Sequence, residues 1–369
     1  MCNLSKKYIY IILLVVTGYL CKTPSSNKLK FVFILMRSVN RAPLNYYENI
    51  SSNIENWPNG LGELTNEGII NAYRAGKLLR ERYRHFLNPS ERYSPSEIDV
   101  SSSEVDRCYQ TAGYLLAGMY PPDEQQVWNP ELLWQPVPIK TSLSKDYHMF
   151  GDNALYCPKY WIELHEASED FIKTEKIKNF INYLRNNTFK TLKTINDALA
   201  ICDVIWTDYM SKNSIPDWAL KRFDDIEKFM LHSMLILNSN SDQMKRLFSG
   251  DLVGDIINRM EAIINKSLNA KKMYLHVGHD STIVPFFNTL NVSEIEYPQF
   301  GATVLIELYL TPLNKTLIKL LYNKNYEWKE SNIKLIELPG CPLPCGLENW
   351  RTLTQKFIPQ NLNEECKNS

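Results

Sequence analysis

FVFILMRSVNRAP, residues 31–43, starts as six consecutive apolar residues and ends on two arginines, Arg37 and Arg41. An apolar run of that length, closed by polar loop chemistry, reads as a strand buried on both faces. Such strands belong to parallel sheets, and open α/β sheets collect ligands outside the carboxyl ends of their strands. Arg37 and Arg41 leave that end together, and paired guanidiniums are planar, bidentate donors suited to a phosphoryl group. KMYLHVGHDST, residues 272–282, has the same form: a short apolar strand that stops and delivers His279 and Asp280. Two arginines, a histidine and a carboxylic acid from two such ends would form an anion pocket with a proton donor beside it. The plainer reading stands level with it: Arg37 and Arg41 pair with acidic neighbours, and His279 is a satisfied core residue. His276, three residues before His279, reads as structural.

The segments between predict the layers. In LGELTNEGIINAYRAGKLLRERYRHFL, residues 61–87, Thr65 is the expected N-cap of a long helix. Ile69, Tyr73, Gly76, Leu79, Tyr83 and Phe86 recur every three or four residues as its apolar face. IDVSSSEVDR, residues 98–107, is a short strand passing into a loop, with Asp106 and Arg107 leading into a helix. Residues 155–250 are helical in period and charged, with no clear strand, and strands resume at KMYLHV, GATVLIELYL and TLIKLLYN. The expected fold is α/β: a mostly parallel sheet flanked by helices, built from residues 28–154 and 251–369, with 155–250 inserted as a helical cap lobe.

Composition limits the function. The chain has 369 residues, and its 41 basic and 41 acidic side chains cancel, so nothing draws it in bulk to nucleic acid or anionic membrane. Lys6 and Lys7 precede YIYIILLVVTGYL and then a polar landing, which reads as a secretory signal over residues 1–21, with a single-pass anchor as the competing reading. No second apolar run follows near the C-terminus, so a secreted or luminal product without a membrane anchor is expected. Glycosylation sequons at Asn49, Asn186, Asn265, Asn291 and Asn314 agree with that route. Cys2 and Cys21 would leave with the signal. Cys341 and Cys345 share the tight loop LPGCPLPCG, where a local disulfide is the natural reading; a zinc knuckle lacks a second ligand pair.

The two strand-end stretches also resemble signatures of the histidine acid phosphatases, a branch of the phosphohistidine superfamily. Arg37-Ser-Val-Asn-Arg41-Ala-Pro43 stands where that family has RHGxRxP, and His279-Asp280 where it has HD. WPNGLGELTNEG, EVDRCYQTA, YPPDEQQVWNPELLWQPVPI, SGDLVGDI and ELPGCPLPCGLENW are similar to the animal prostatic, lysosomal and venom branch, so the resemblance covers nearly the whole mature chain. It implies a phosphoglycerate-mutase-like fold and two-step hydrolysis of phosphate monoesters in acid, with neither metal nor other cofactor. A histidine of the first signature attacks phosphorus; arginines and the second histidine neutralise the oxygens; the HD aspartic acid protonates the leaving group. It further implies that Cys157 bridges Cys366 and Cys341 bridges Cys345. Cys202 falls at a bridging position whose partner position is Thr303, while Cys108 is extra; both are left as unassigned thiols. A homodimer is also admitted.

Three positions depart from the pattern. The nucleophile position is Ser38, followed by Val39 in place of glycine, and the arginine that opens RSTDVDR in the family aligns with Ser101, read here as a lost phosphate clamp. A serine hydroxyl without a neighbouring base is a weak nucleophile, and its short side chain would stop short of phosphorus. The leading expectation is a secreted pseudophosphatase that keeps part of a pocket for a phosphate monoester or other small anion. A working acid phosphatase and an interaction glycoprotein with no functional pocket are the alternatives. If Ser101 marks a lost clamp, Ser101→Arg should restore anion binding.

Overall fold

The structure is a computed structural model that describes residues 27–88, 92–141 and 157–367. The signal segment 1–21, with Cys2 and Cys21, lies outside the described residues. The opening stretch forms strand β1, Lys28–Arg37, in the middle of a seven-stranded sheet. Phe31 to Met36 are all buried, and each apolar side chain so placed contributes roughly 1.5–3 kcal/mol. Alternation along the strand sends Phe31, Phe33 and Leu35 to one core, and Val32, Ile34 and Met36 to the other.

Helices α1, Asn66–Tyr83, and α2, Asp106–Met119, cover the second of these faces. The Thr65 hydroxyl accepts the Gly68 N–H at 3.0 Å and caps α1 as expected. The buried stripe of α1 keeps Gly76, Leu79 and Tyr83 of the predicted face, with Ile69 and Phe86 partly buried against the same core, but it adds Ala72 and Ala75 and leaves Tyr73 43% exposed. The cause is close helix packing. A Cβ on Gly76 would lie 1.9 Å from the Leu115 carbonyl oxygen of α2, and one on Gly118 would lie 2.1 Å from that of Tyr73. Small residues, rather than the largest apolar ones, therefore face the partner helix.

Strand β2, Ile98–Ser102, precedes α2, and the two-residue strand β3, Lys140–Thr141, follows it. The next elements are helical: α3 Pro158–Lys173, α4 Glu175–Thr188, α5 Ile195–Met210, α6 Asp217–Leu220, α7 Phe223–Ser239, α8 Asp242–Phe248 and α9 Gly250–Ile264. No strand interrupts them, and α4, α5 and α7 share a core centred on the buried Trp206. Strand β4, Met273–Gly278, then leads into α10, Asp280–Thr289. Strands β5, Thr303–Leu310, β6, Thr316–Asn323, and β7, Ile333–Ile336, and helices α11, Leu347–Thr354, and α12, Leu362–Glu365, complete the described chain. Helices α9, α10 and α11 pack on the Phe33 face.

The sheet order is β3-β2-β4-β1-β5-β6-β7. Pairings from β3 to β1 are parallel, and those from β1 to β7 are antiparallel, so the sheet is mixed where the strand pattern predicted a mostly parallel one. Between β5 and β6 the reason is the five-residue turn 311–315, closed by the Thr311 N–H on the Lys315 carbonyl at 2.9 Å, which is too short for a crossover. The disulfides Cys157–Cys366 and Cys341–Cys345 are both present, while Cys108 and Cys202 are free and buried in different cores. Thr303, opposite no cysteine, donates its hydroxyl to the Gly301 carbonyl at 2.9 Å.

Candidate active site

The parallel half of the sheet brings three strand ends side by side. In register, Arg37 of β1 lies beside Gly278 of β4, and Ser102 of β2 lies beside Val277. The next residues of each chain therefore meet at one edge: Ser38 to Arg41, Ser103 to Arg107, and His279 with Asp280. His279 caps α10, its N–H donating to the Thr282 hydroxyl at 3.3 Å, and Asp280 opens the helix, where the dipole favours a carboxylate. A cavity of about 400 Å³ lies over this edge, lined by Arg41, Arg107, Asp203, His279, Asp280 and Tyr297 among others.

Both arginines of the opening stretch are engaged by carboxylates, as the plainer reading held. Arg37 is 2% exposed, lies behind the cavity wall, and pairs with Asp280 at 2.9 Å. It also donates to the Pro298 carbonyl, and its guanidinium carbon sits 4.7–5.3 Å from the ring centres of Trp206, Tyr297 and Phe300. Arg41 holds Asp203 of α5 through two nitrogens, at 2.5 and 3.3 Å, and the Leu44 N–H reaches the same carboxylate at 2.9 Å. His279, by contrast, is no core residue: it faces the cavity, with Nε2 3.0 Å from the Ser103 hydroxyl and Nδ1 3.5 Å from Arg107.

Electrostatics follow from this crowding. Burial, reinforced by Arg107 and offset in part by Asp280, pushes His279 down to about 4, so the ring is neutral through mildly acid conditions. Burial raises the Asp280 carboxyl, but Arg37, the Tyr297 hydroxyl at 2.6 Å, Arg41 and His279 outweigh it and hold Asp280 below the usual carboxylate range. Burial lowers Arg107, and its neighbour Arg41 lowers it further. His276, fully buried with its ring 4.5 Å from that of Phe33, is held neutral by desolvation; it is structural, as expected.

Ser38 stands where the sequence placed it, but it does not face the cavity. It is 2% exposed, its N–H donates to the Gly278 carbonyl at 3.0 Å, and its hydroxyl reaches the buried Cys108 thiol. Among the described residues no hydrogen bond joins its hydroxyl to a histidine or a carboxylate; His279 lies beyond the Cys108 thiol, at 3.8 Å from it. Val39 is fully buried in the core beneath, its N–H on the Thr111 hydroxyl at 3.3 Å.

Ser101, the position read as a lost phosphate clamp, is set back from the cavity. Ser101 is wholly buried within β2, in register with His276 and Lys140, and does not reach the cavity. The third guanidinium of the site is Arg107, six residues on, in the first turn of α2. Sequence reading passed over Arg107 as part of the approach to a helix, although EVDR was in view; Asp203, Tyr297 and Trp206 carried no local signal at all. Accordingly Arg107→Ala is expected to weaken binding of inorganic phosphate by about tenfold, the worth of one charge-assisted contact. Ser101→Arg tests the lost-clamp reading and should raise that affinity. Isothermal titration of both variants checks this, and no gain in Ser101→Arg would set the lost-clamp reading aside.

Among the described residues no group of three His, Cys, Asp or Glu side chains is placed to hold a metal ion, and no helix is long and apolar enough to cross a membrane. Comparison with known proteins agrees with the geometry. Residues 22–323 match the histidine phosphatase superfamily (branch 2). The chain is 30% identical to lysosomal acid phosphatase of Xenopus laevis over 351 residues, covering 93% of this chain and 79% of that protein. It is 30% identical to prostatic acid phosphatase of Rattus norvegicus over 353 residues, covering 92% and 90%. Among solved structures, Hafnia alvei phytase in complex with myo-inositol hexakis sulphate superimposes with a TM-score of 0.70 at 15% identity, over 94% of this chain and all of that one. The phytase of Citrobacter braakii gives 0.69 at 14%, over 92% and 99%. At such identities these two likenesses speak for the fold.

Proposed function

The chain belongs to the histidine phosphatase superfamily, branch 2, and we propose that within it this acid-phosphatase-like protein is a secreted pseudophosphatase, which binds a phosphate monoester or related small anion without turning it over. The observation that carries this is the placement of Ser38. The remaining groups of a phosphoryl site surround the cavity, but the residue at the attacking position is buried against Cys108, with no base hydrogen-bonded to it among the described residues. A hydroxyl so placed can neither ionise nor reach an ester bound among Arg41, Arg107 and His279.

Secretion and glycosylation belong to the same reading. The side chains of Asn49, Asn186, Asn265, Asn291 and Asn314 are all exposed, and two disulfides accord with an oxidising compartment. Residues 155–250 are read as a cap lobe over a domain formed by 28–154 and 251–369, since α5 supplies Asp203 and Trp206 to the roof of the site. A homodimer is left to measurement of mass in solution.

The alternative, a working phosphatase, draws on His279 and Asp280 standing together at the cavity. Hydrolysis of an aryl phosphate at about pH 5 by wild type and by Asp280→Ala decides between them. Equal, background rates support the pseudophosphatase. Turnover in wild type that Asp280→Ala abolishes would overturn it.

A further inference from the structure

Among the charged groups at the cavity, Asp203 has no part in the chemistry described so far, yet it is 7% exposed and its two oxygens take both an Arg41 nitrogen pair and the Leu44 N–H. It therefore occupies the bidentate face of Arg41, the geometry that two phosphoryl oxygens would otherwise use. Arg41 spends a further bond on its neighbour, the Ala42 carbonyl, at 2.9 Å. Arg37 is likewise committed, to Asp280 and to the Pro298 carbonyl. Arg107 is different: among the described residues no carboxylate pairs with it, and its Nε has no hydrogen-bond partner.

From this arrangement we propose that Asp203 is a specificity-determining residue: an internal counter-anion that leaves the cavity with one net positive charge and selects a singly charged oxyanion over a doubly charged one. The inference rests on the reading of the cavity as an anion site and names the class of anion it takes. Three guanidiniums face two carboxylates, and His279 adds no charge above about pH 4. A singly charged oxyanion meets Arg107 and completes the balance. A doubly charged one would bring an uncompensated charge into a largely buried site, close to the Asp203 carboxylate, and both effects disfavour it. The fitting ligand is the monoanion of a phosphate monoester, dominant below its second ionisation near ~6, or another ester with one negative charge.

Perrhenate and tungstate are tetrahedral oxyanions of similar size that carry one and two charges, so their binding by the full chain near neutral pH isolates charge from shape. Isothermal titration should show wild type binding perrhenate at least as tightly as tungstate. Asp203→Asn keeps the shape of the side chain and an acceptor for the Leu44 N–H but removes the charge. It is expected to raise tungstate affinity by about tenfold and perrhenate affinity far less. If the Asn variant fails to give a cooperative melt, Asp203→Ser serves in its place. Tungstate affinity unchanged by the substitution, with both anions still bound, would overturn the role of Asp203 and leave the anion site standing. Failure of either anion to bind wild type or variant, with Arg107→Ala equally silent, would overturn the anion site itself and this inference with it.

Discussion

The double variant Ser38→His with Val39→Gly should hydrolyse an aryl phosphate at about pH 5 at least ~10³-fold faster than wild type, part of the ~10⁶ that a covalent nucleophile is worth elsewhere. The imidazole would attack phosphorus as the bond to the leaving oxygen breaks, the proton of the ester monoanion, relayed through the Asp280 carboxylate, would pass to that oxygen, and water would then release phosphate from the histidine. Both substitutions are needed. The backbone at 38 is pinned, its N–H on Gly278 and its carbonyl accepting the Gly301 N–H at 3.2 Å, and Val39 fills the core beneath it. A β-branched residue there restricts how residue 38 can be aimed, whereas glycine frees it. Ser38→His alone is expected to recover much less, and adding Asp203→Asn should help by releasing Arg41. Initial rates from the purified variants, compared with the double variant that also carries Asp280→Ala, check the claim; a double variant no faster than wild type would show that more than the nucleophile is missing.

The second large effect concerns stability. Arg37→Leu is expected to destabilise the fold by about 3–5 kcal/mol, because it removes one partner of a buried ion pair and strands the other. Arg37 and Asp280 have side-chain exposures of 3% and 15%, and the guanidinium is packed among three aromatic rings. The stranded carboxylate is the main cost, since the leucine restores apolar contact with Trp206 and Phe300. Adding Asp280→Asn, which removes that charge while leaving an acceptor for the Tyr297 hydroxyl, should therefore recover at least half of the loss. Urea unfolding of wild type, the single variant and the double variant gives the comparison. No recovery would place the energy in the stacking of the rings on Arg37 rather than in the ion pair.

These results bear on how the site was legible. Apolar runs with abrupt polar ends marked β1 and β4, because a strand buried on both faces needs every side chain apolar. From them Arg37, Arg41, His279 and Asp280 were placed at one sheet edge, and they do meet there. The antiparallel half was less visible as such, since β5 and β6 have the same apolar composition as parallel strands and direction is decided by the turn between them. Strand β7 is four residues long and partly exposed, and it offers almost no pattern.

Position 101 shows what reading along the chain leaves open. A serine where the family pattern has arginine reads as a lost contact, and register shows only how far below the edge that position starts. Its partners in β3 and β4 place it inside the sheet, below the edge where Arg107 emerges. Local order in sequence says which residues leave a strand, but not how far along the edge each side chain reaches.

What the amino-acid sequence determined by itself was the α/β class, the two strand-end stretches, the cap of α1 by Thr65, and a serine rather than a histidine at position 38. Those are properties of residue type and spacing within a short window. What only the tertiary structure decided was how the charges are spent: Asp280 on Arg37, Asp203 on Arg41, and Arg107 left without a carboxylate partner among the described residues. Asp203 lies 162 residues from Arg41, and no local periodicity links them. Their meeting follows from packing α5 against the loop after β1, and Coulomb energy depends on that distance alone, not on separation along the chain.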